Sequence, residues 1–428
     1  MRIGLSLVVL IDLFFRLSNK QAFYDNNGIW PLSAALTHLA PGSWSIYFLN
    51  ASPIFFDVGC FIHAGLLVLL LVGWHTKFIT PLVWIMTYSL QQRNPYINQG
   101  GDALVLILLL CACFLPWGAR LSFDEKHQRS AINSSVAHVF LLFSVAVMYL
   151  FTVLLKQAPE WQWDGSAIEK TLQLHQLRSR LGTWLLTQPN LMQMLTWIVL
   201  AVEGLLPLFL LNPFSSKQSR KAAFYLITGL HLGFALFLRV GIFPFINIVF
   251  ALSLLQPKEH TPAPTSRLSL PSLLMLFLAV LFTLLINFST LPNWPYRLNQ
   301  TSLAVANGLG LQQDWGMFSP GIPRTDGWYT SQLMKRNGNY SEEKNELSRT
   351  QIDVPLLDDR WRKFSENMQR PGRSFLLTNY CYYLLKKFNK NSNPDPSTVH
   401  FLYFHQVNYN NNGTPTVSPP TLASACHE

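Results

Sequence analysis

Charged residues are scarce in this chain. They make up 13% of its 428 residues, while hydrophobic residues make up 50%. Soluble domains carry roughly 25% charged residues, so this deficit points to a chain that spends much of its length in lipid. The long apolar runs recur through the first 290 residues or so and then stop. The composition therefore predicts a polytopic membrane protein followed by one water-soluble domain.

Motifs for metal, nucleotide and hydrolase chemistry are also missing. There is no HExxH, Walker loop, GxGxxG before a helix, CxxC or nucleophile elbow, so no metal site is predicted. Cys60, Cys111 and Cys113 lie in apolar segments, where cysteine usually behaves as a small hydrophobe. Cys381 and Cys426 lie in the polar tail, where the sequence leaves open whether they form a disulfide.

No cleavable signal peptide is evident, because the first apolar run carries Asp12 and Arg16 and lacks a small-residue cleavage site. Hydropathy predicts a membrane all-α bundle of about nine transmembrane helices with a small C-terminal α+β extramembrane domain. The predicted spans are about 2–18, 55–74, 78–92, 102–118, 136–156, 190–212, 222–239, 240–256 and 270–289. The third and eighth are short, so they would be tilted, re-entrant or buried against neighbours.

This pattern divides the chain into three parts. Residues 1–289 form the predicted transmembrane domain, 290–410 a soluble domain, and 411–428 a disordered tail because of their polar, low-complexity composition. Within the soluble domain we expect strands at 328–334 and 399–407 and a helix at about 374–388.

The basic residues predict the orientation. The formal net charge is +10. In a membrane protein such an excess is typical of cytoplasmic loops rather than of nucleic-acid binding, and no nucleic-acid partner is predicted. With the N-terminus inside, the inner loops hold ten basic residues, namely Arg2, Lys77, Arg120, Lys126, Arg129, Lys217, Arg220, Lys221, Lys258 and Arg267. The outer loops hold six, namely Lys20, Arg93, Lys170, Arg178, Arg180 and Arg239. This favours an N-in, C-out protein of a bacterial inner membrane, with a periplasmic tail.

Two outer loops are too apolar to be plain linkers. Residues 21–54 and 157–190 carry tryptophan and leucine at helical spacing. Such segments are typical of helices that lie in the membrane interface. We expect them to form a roof over whatever opens on the outer side.

Ionisable residues inside spans are costly and often mark functional pathways. This chain has Asp12, Arg16, Asp57, His63, His138, Lys156, Glu203 and His231 in or at the ends of predicted spans. Asp12 and Arg16 are four residues apart, so they are expected to pair on one helix face. Taken singly, each of the others is more often a buried structural partner than a catalyst. As a set they predict a polar interior cavity.

The stretch from Tyr149 to Trp161 carries the most informative lysine. Lys156 ends the apolar run from Val136 to Leu155, and Glu160 and Trp161 follow shortly after it. A lysine at this place is either an anchor that reaches for headgroups or a base. The second role requires an apolar pocket, because desolvation disfavours the charged form of the amine.

A polar hairpin, Gln92 to Leu104, separates two spans on the same outer side. It places Arg93, Asn94 and Asp102 near the Lys156 end of the predicted bundle. A binding role and a simple tight turn built on the local proline and glycines are both compatible with this pattern.

These stretches resemble the horizontally transferred transmembrane (HTTM) domain family, which includes the vitamin K-dependent gamma-glutamyl carboxylases. The resembling stretches, spread over about residues 1–405, are RIGLSLVVLIDLFFRL, GWHTKFITPLVWIMTYSLQQRNPYINQGGDALVLILLL, YLFTVLLKQAPEWQWDG, HLGFALFLRVGIFPFINIVFALSLL, NGLGLQQDWGMFSP, DRWRKFSENM and TNYCYYLLKKF.

The resemblance implies a chemistry. Lys156 matches the lysine that deprotonates vitamin K hydroquinone, and His231 matches a histidine that opens the stretch HLGFALFLRVGIFP. It implies a lyase-class carboxylase or quinone epoxidase that uses a reduced quinone, of the vitamin K hydroquinone or menaquinol type, with CO2 and O2 as co-substrates. Lys156, His231 and Glu203 are then the catalytic candidates, and Arg93, Asn94, Asp102 and Trp161 the cofactor-binding candidates.

This chain also departs from the carboxylases. They have a histidine in the hairpin where this chain has RNPY, and their lumenal part is far longer. The expected partners are membrane lipid or quinone and an unknown protein or peptide substrate on the outer face. A non-catalytic membrane protein that binds lipid or quinone, or that scaffolds a partner, is the alternative. A transporter has less support, because the sequence has no inverted repeat.

Overall fold

A computed structural model gives the structure of this protein. It describes residues 1–119, 121–124, 136–212, 216–255, 269–334, 340–348, 358–391, 399–409 and 415–427. The first 290 residues are helical, and the tail combines helices with one antiparallel sheet.

Each of the nine apolar segments forms a helix. In chain order with the short connecting helices, these are α1 (Arg2–Ser18), α2 (Lys20–Phe23), α3 (Leu32–Thr37), α4 (Pro53–Val72), α5 (Thr76–Arg93), α6 (Gly100–Ala112), α7 (Val136–Leu155), α8 (Pro159–Gln162), α9 (Ala167–Gln173), α10 (Arg180–Leu185), α11 (Pro189–Leu210), α12 (Ser216–Phe237), α13 (Phe243–Leu252) and α14 (Leu270–Phe288). The tail adds α15 (Gln300–Gly308), α16 (Arg360–Met368) and α17 (Ser374–Asn391).

The expected count of nine spanning helices is not confirmed. Among the described helices, α4, α7, α11 and α14 are long and apolar enough to cross a membrane. At 1.5 Å per residue, the 13 residues of α6 and the 10 of α13 reach only about 20 Å and 15 Å. A bilayer core is about 30 Å thick, so these two helices are too short to cross it alone. They pack inside the bundle, where α6 contacts both α7 and α13.

The tail carries a five-stranded antiparallel sheet. Its strands are β1 (Thr325–Met334), β2 (Tyr340–Glu343), β3 (Val399–Tyr409), β4 (Pro415–Val417) and β5 (Thr421–His427). The order is β2-β1-β3-β4, and β5 also pairs with β3. The two strands and the helix predicted for this region are confirmed, as β1, β3 and α17.

The prediction that residues 411–428 are disordered is wrong for residues 415–427, since β4 and β5 both hydrogen-bond to β3. Residues 411–414 and 428 lie outside the described part of the chain. A disulfide between Cys381 of α17 and Cys426 of β5 ties the last strand down and answers the question that the sequence left open. Long-range pairing and a covalent bond therefore order a segment whose composition alone predicts disorder.

A buried ion ring joins the tail to the bundle. It consists of Asp12 and Arg16 on α1, Asp102 on α6 and Arg360 on α16, whose side chains are at most 12% exposed. Arg16 binds Asp12 at 2.7 Å and Asp102 at 2.6 Å. Arg360 binds Asp102 at 2.6 Å and also pairs with Asp12. Burial alone would lower the pKa of Arg360, but Asp102 and Asp12 raise it above its usual range.

Candidate functional site

The central feature of the candidate site is the end of α7. Tyr149 lies in this helix about two turns before Lys156, which directly follows the last helical residue, Leu155. Both side chains are buried, with Tyr149 2% and Lys156 3% exposed. Lys156 therefore does not reach outward to headgroups, and the anchoring interpretation is wrong.

Lys156 forms an ion pair with Glu203 of α11 inside the bundle. The Glu203 side chain is 5% exposed, so both charges are removed from water. The Lys156 Nζ also lies 4.2 Å from the centre of the Trp161 ring. A cation over an indole face is favourable, and more so when it is desolvated. Three candidates from the sequence, namely Lys156, Glu203 and Trp161, thus come into contact.

A second polar group surrounds the hydroxyl of Tyr149. The Tyr149 hydroxyl lies 2.9 Å from Nε2 of His231 on α12, and it donates to Oδ1 of Asn247 on α13 at 3.2 Å. The rings of Phe234 and Phe243 pack against His231. The Nδ1 atom of His231 has no hydrogen-bond partner among the described residues. An unpaired buried polar atom is costly, so Nδ1 of His231 is open to a further hydrogen-bond partner.

Tyr149 and Asn247 are absent from the residues predicted from sequence. The spacing in the sequence could have indicated Tyr149, because it precedes Lys156 by seven residues, which is about two helical turns. Asn247 has none, because only the packing of α13 against α12 and α6 brings it to this site. His231 is joined to the group through Tyr149, whereas Lys156 is joined to Glu203 directly.

The roof over this site is ordered, as the sequence predicts. Helices α8, α9 and α10 lie within residues 157–190 and build a hydrophobic cluster with the outer parts of α11 and α12. The tail rests on this roof. The Trp161 indole donates to the Phe318 carbonyl at 2.9 Å, and the Ala158 amide donates to the Pro320 carbonyl at 2.9 Å.

Glu160 belongs to this junction and not to Lys156. Its carboxylate accepts a hydrogen bond from the Ile322 amide at 2.9 Å and lies 3.6 Å from Lys170. The carboxylate that neutralises Lys156 is therefore Glu203, and Glu160 holds the tail to the roof.

The hairpin candidates take part in other networks. Arg93 donates to the carbonyls of Trp30 and Tyr24, both at 2.9 Å. Asn94 donates to the carbonyl of Phe23 at 3.0 Å. These bonds hold the loop 21–30 against the end of α5, and Asp102 is a member of the ion ring. The structure thus does not bring the three hairpin residues to Lys156.

Two further ionisable residues of the spans have local partners. Asp57 pairs with Lys20 at 2.7 Å in a half-exposed ion pair at the outer end of α4. His63 lies 3.1 Å from the hydroxyl of Thr87 on the neighbouring helix. Neither contact extends the candidate site. The ionisable residues of the predicted spans therefore form separate polar groups and not the single interior cavity that the sequence predicts.

Comparison with known proteins places this geometry in a family. The family model of the HTTM domain matches residues 44–258, which is half of the chain and includes Tyr149, Lys156, Glu203, His231 and Asn247. The chain is similar to the uncharacterized protein YitO of Bacillus subtilis (strain 168), with 25% identity over 209 residues. That alignment covers 46% of this chain and 66% of YitO, so the chain spans just under two thirds of that relative's length. No solved structure matches. The chain belongs to the HTTM domain family.

Proposed function

We propose that this protein is a membrane enzyme that acts on a reduced isoprenoid quinone, with the Lys156–Glu203 pair as its base. The observation that carries the proposal is the burial of this pair beneath Trp161. A buried ion pair is usually no more stabilising than a well-packed apolar pair, so stability alone gives little reason to retain one here. Charged residues inside membrane spans are costly and often mark functional sites.

The residues around His231 suit a quinol. A quinol is a flat, largely apolar ring with two hydroxyl groups. Phe234 and Phe243, which pack against His231, would supply apolar contacts, and Nδ1 of His231, which has no hydrogen-bond partner among the described residues, would supply a polar one. Tyr149 fixes the orientation of the His231 ring through the hydrogen bond to Nε2.

The pair can take up one proton from a bound hydroxyl in either of its forms. When Lys156 is neutral and Glu203 is protonated, the amine accepts the proton. When both are charged, the Glu203 carboxylate accepts it and the Lys156 ammonium stabilises the oxyanion that remains. By analogy with the carboxylases of the family, oxygenation of the deprotonated quinol by O2 would give a stronger base. That base would remove a γ-proton from a glutamate of a protein or peptide substrate, and the resulting carbanion would take up CO2.

Turnover of the full-length protein in proteoliposomes containing menaquinol tests this proposal. A general base contributes about 10²- to 10⁴-fold to rate, so Lys156→Ala should lose turnover by that factor. Lys156→Arg should not restore it, because a guanidinium stays charged. Lys170→Ala on the roof is the matched control and should keep wild-type turnover. Equal turnover in Lys156→Ala and Lys170→Ala would contradict the proposal.

The alternative is a non-catalytic protein that binds lipid or quinone or scaffolds a partner. Mass spectrometry of lipids co-purified with wild type and with His231→Leu separates the two. A quinone retained by wild type, together with menaquinol turnover, supports the enzyme. A retained quinone with no turnover under any supplied co-substrate supports the binding protein.

We also propose an inner-membrane location with the N-terminus in the cytoplasm and the tail in the periplasm. The basic residues favour this orientation, and the Cys381–Cys426 disulfide supports it because disulfides persist in oxidising compartments. A reporter that is active only in the periplasm, fused after Phe288, should be active. Activity of a cytoplasmic reporter at the same site would contradict the orientation.

A further inference from the structure

Three ligand-type side chains converge in the tail, away from the candidate site. Cys381 lies on α17, His400 on β3 and Cys426 on β5, and each is at most 5% exposed. The Nδ1 atom of His400 lies 3.4 Å from the Cys381 Sγ and 4.0 Å from the Cys426 Sγ. The three ligand atoms, one from each residue, all lie within 4.8 Å of one another. The proposed function uses none of these residues.

The separations match those of a tetrahedral metal site. With Zn–S near 2.3 Å and Zn–N near 2.05 Å, tetrahedral angles place nitrogen and sulfur about 3.6 Å apart. The two observed distances, 3.4 Å and 4.0 Å, bracket that value. Only the two sulfur atoms are closer than a zinc site requires, because they are bonded to each other. Reduction of that bond lets them separate to non-bonded distance.

The surroundings of His400 also suit a role as a metal ligand. The side chain is fully buried, and the Phe388 ring packs 5.8 Å from it. Imidazole nitrogen is a common zinc ligand. With Nδ1 as the ligand atom, the ring proton sits on Nε2, which has no hydrogen-bond partner among the described residues.

We propose that the reduced form of this cluster binds one Zn²⁺ ion through Cys381, His400 and Cys426. A dithiol or phosphine reductant delivers two electrons to the disulfide, and two protons convert the sulfurs to thiols. Zn²⁺ then displaces both thiol protons to solvent and binds the two thiolates and Nδ1, with water or another small ligand completing the coordination. Thiolate and imidazole are the donors that select zinc over magnesium or calcium.

The site would keep the same three elements together in either redox state. In the oxidised state the disulfide joins α17 to β5, and in the reduced state the ion joins α17, β3 and β5. Without either link, the short last strand would depend on its pairing with β3 and its packing against α17. A small domain can gain its folding energy from bound zinc as it can from a disulfide.

The full-length protein in detergent tests this proposal without any substitution. One sample is reduced with a phosphine and desalted without oxygen, and a second stays oxidised. Both receive ZnCl2 and are desalted again, and zinc content is measured by elemental analysis. We expect one zinc per chain in the reduced sample and none in the oxidised sample. Equal zinc in the two samples overturns the proposal.

A second measurement locates the ion. Mass spectrometry after alkylation counts the reactive thiols, and bound zinc should slow alkylation of Cys381 and Cys426 at least tenfold while leaving Cys113 unchanged. His400→Gln should weaken zinc binding at least tenfold, whereas His405→Gln on the same strand should not. Retained zinc with Cys381 and Cys426 both freely alkylated overturns the assignment of these ligands.

Limited proteolysis covers the case in which a variant misfolds. The reduced wild-type protein without zinc should be cleaved near β5 faster than the oxidised protein, and one equivalent of ZnCl2 should restore its resistance. If zinc gives no protection to the reduced wild-type chain, the cluster is a disulfide site only.

Discussion

The ion ring and the Lys156 site are two buried charged groups in one bundle, but they differ in how their hydrogen bonds are met. In the ring, two carboxylates meet two guanidiniums, and Arg16 also reaches Tyr24 at 2.7 Å. The Arg360 guanidinium donates to the Ile97 carbonyl at 2.9 Å. At the Lys156 site a single carboxylate meets an amine that has three N–H donors.

This difference supports a structural role for the ion ring and, under the proposed function, a chemical role for the Lys156 site. A buried charge is tolerated when opposite charges and further hydrogen bonds compensate for its lost hydration. The ring meets that condition and fixes the tail on the bundle. Among the described residues, Lys156 pairs with one carboxylate, and Nδ1 of His231 on α12 has no hydrogen-bond partner. Under the proposed function, a bound quinol would supply a partner for Nδ1 of His231.

The largest effect on stability is expected when a substitution breaks the ion ring. Arg360→Met leaves Asp12 and Asp102 buried with one guanidinium between them, which should lower the free energy of unfolding by about 3–5 kcal/mol. Denaturant unfolding in detergent micelles measures this change. The control is Arg370→Met, because Arg370 makes a half-exposed ion pair with Glu366 and should change stability by less than about 1 kcal/mol. Equal effects of the two variants would contradict a structural ring.

The second prediction separates stability from chemistry at Lys156. Glu203→Leu alone leaves a buried amine unpaired and should cost about 3–5 kcal/mol. The double variant Lys156→Met with Glu203→Leu removes both charges and should recover most of that loss, because a packed apolar pair can replace an ion pair. Menaquinol turnover should stay absent in the double variant. Recovery of turnover with stability would show that the pair is structural.

The third prediction concerns the Trp161 indole, which lies over the Lys156 amine. Trp161→Leu removes the cation–π contact and the indole bond to the Phe318 carbonyl, and should cost about 1–2 kcal/mol. The nearby Trp163 is 78% exposed, so Trp163→Leu should change stability by less than about 0.5 kcal/mol. Thermal unfolding of the two variants side by side checks this contrast, and a larger loss in Trp163→Leu would reverse it.

The smallest expected effect lies on the exposed side of α16. Burial alone would raise the pKa of Glu366, but Lys363 and Arg362 lower it to about 2. A carboxyl with a lowered pKa adds stability above its unfolded value of about 4.3, and that stability is lost as pH falls toward 2.

Solvent screens the ion pairs of Glu366 with Arg362 and Lys363, because the Glu366 side chain is 39% exposed. The loss should therefore be about 1 kcal/mol or less. The stability difference between wild type and Glu366→Gln, followed from pH 6 to pH 2.5, should shrink over that window. A difference that stays constant with pH would contradict the assignment.

Periodic and local features of the fold were predictable from the sequence. Apolar runs of helical length mark all nine long helices of the bundle, and Asp12 and Arg16 pair as their spacing of four residues requires. The aromatic roof at 157–190 and the strands β1 and β3 follow from patterns of a few residues. These features depend on near neighbours in the chain, which is why a sequence pattern can carry them.

Pairs that are distant in the chain were not predictable in this way. Arg360 follows Asp12 by 348 residues, and Glu203 follows Lys156 by 47. The hairpin residues Arg93 and Asn94 look available for binding in the sequence, yet tertiary packing directs them to backbone carbonyls of the outer loop. A buried donor takes whichever acceptor packing brings to it, and no local pattern specifies that choice.

The amino-acid sequence by itself determined a chain of apolar helices with a polar tail and marked Lys156 as the lysine at the end of an uncharged run, because hydropathy and charge are properties of residues. Only the tertiary structure decided which charge neutralises that lysine, which strands hold the last residues and which groups stay unpaired. Those outcomes depend on desolvation and on partners that are brought together across the whole chain. The same packing placed His400 beside Cys381 and Cys426 at distances that suit a metal ion.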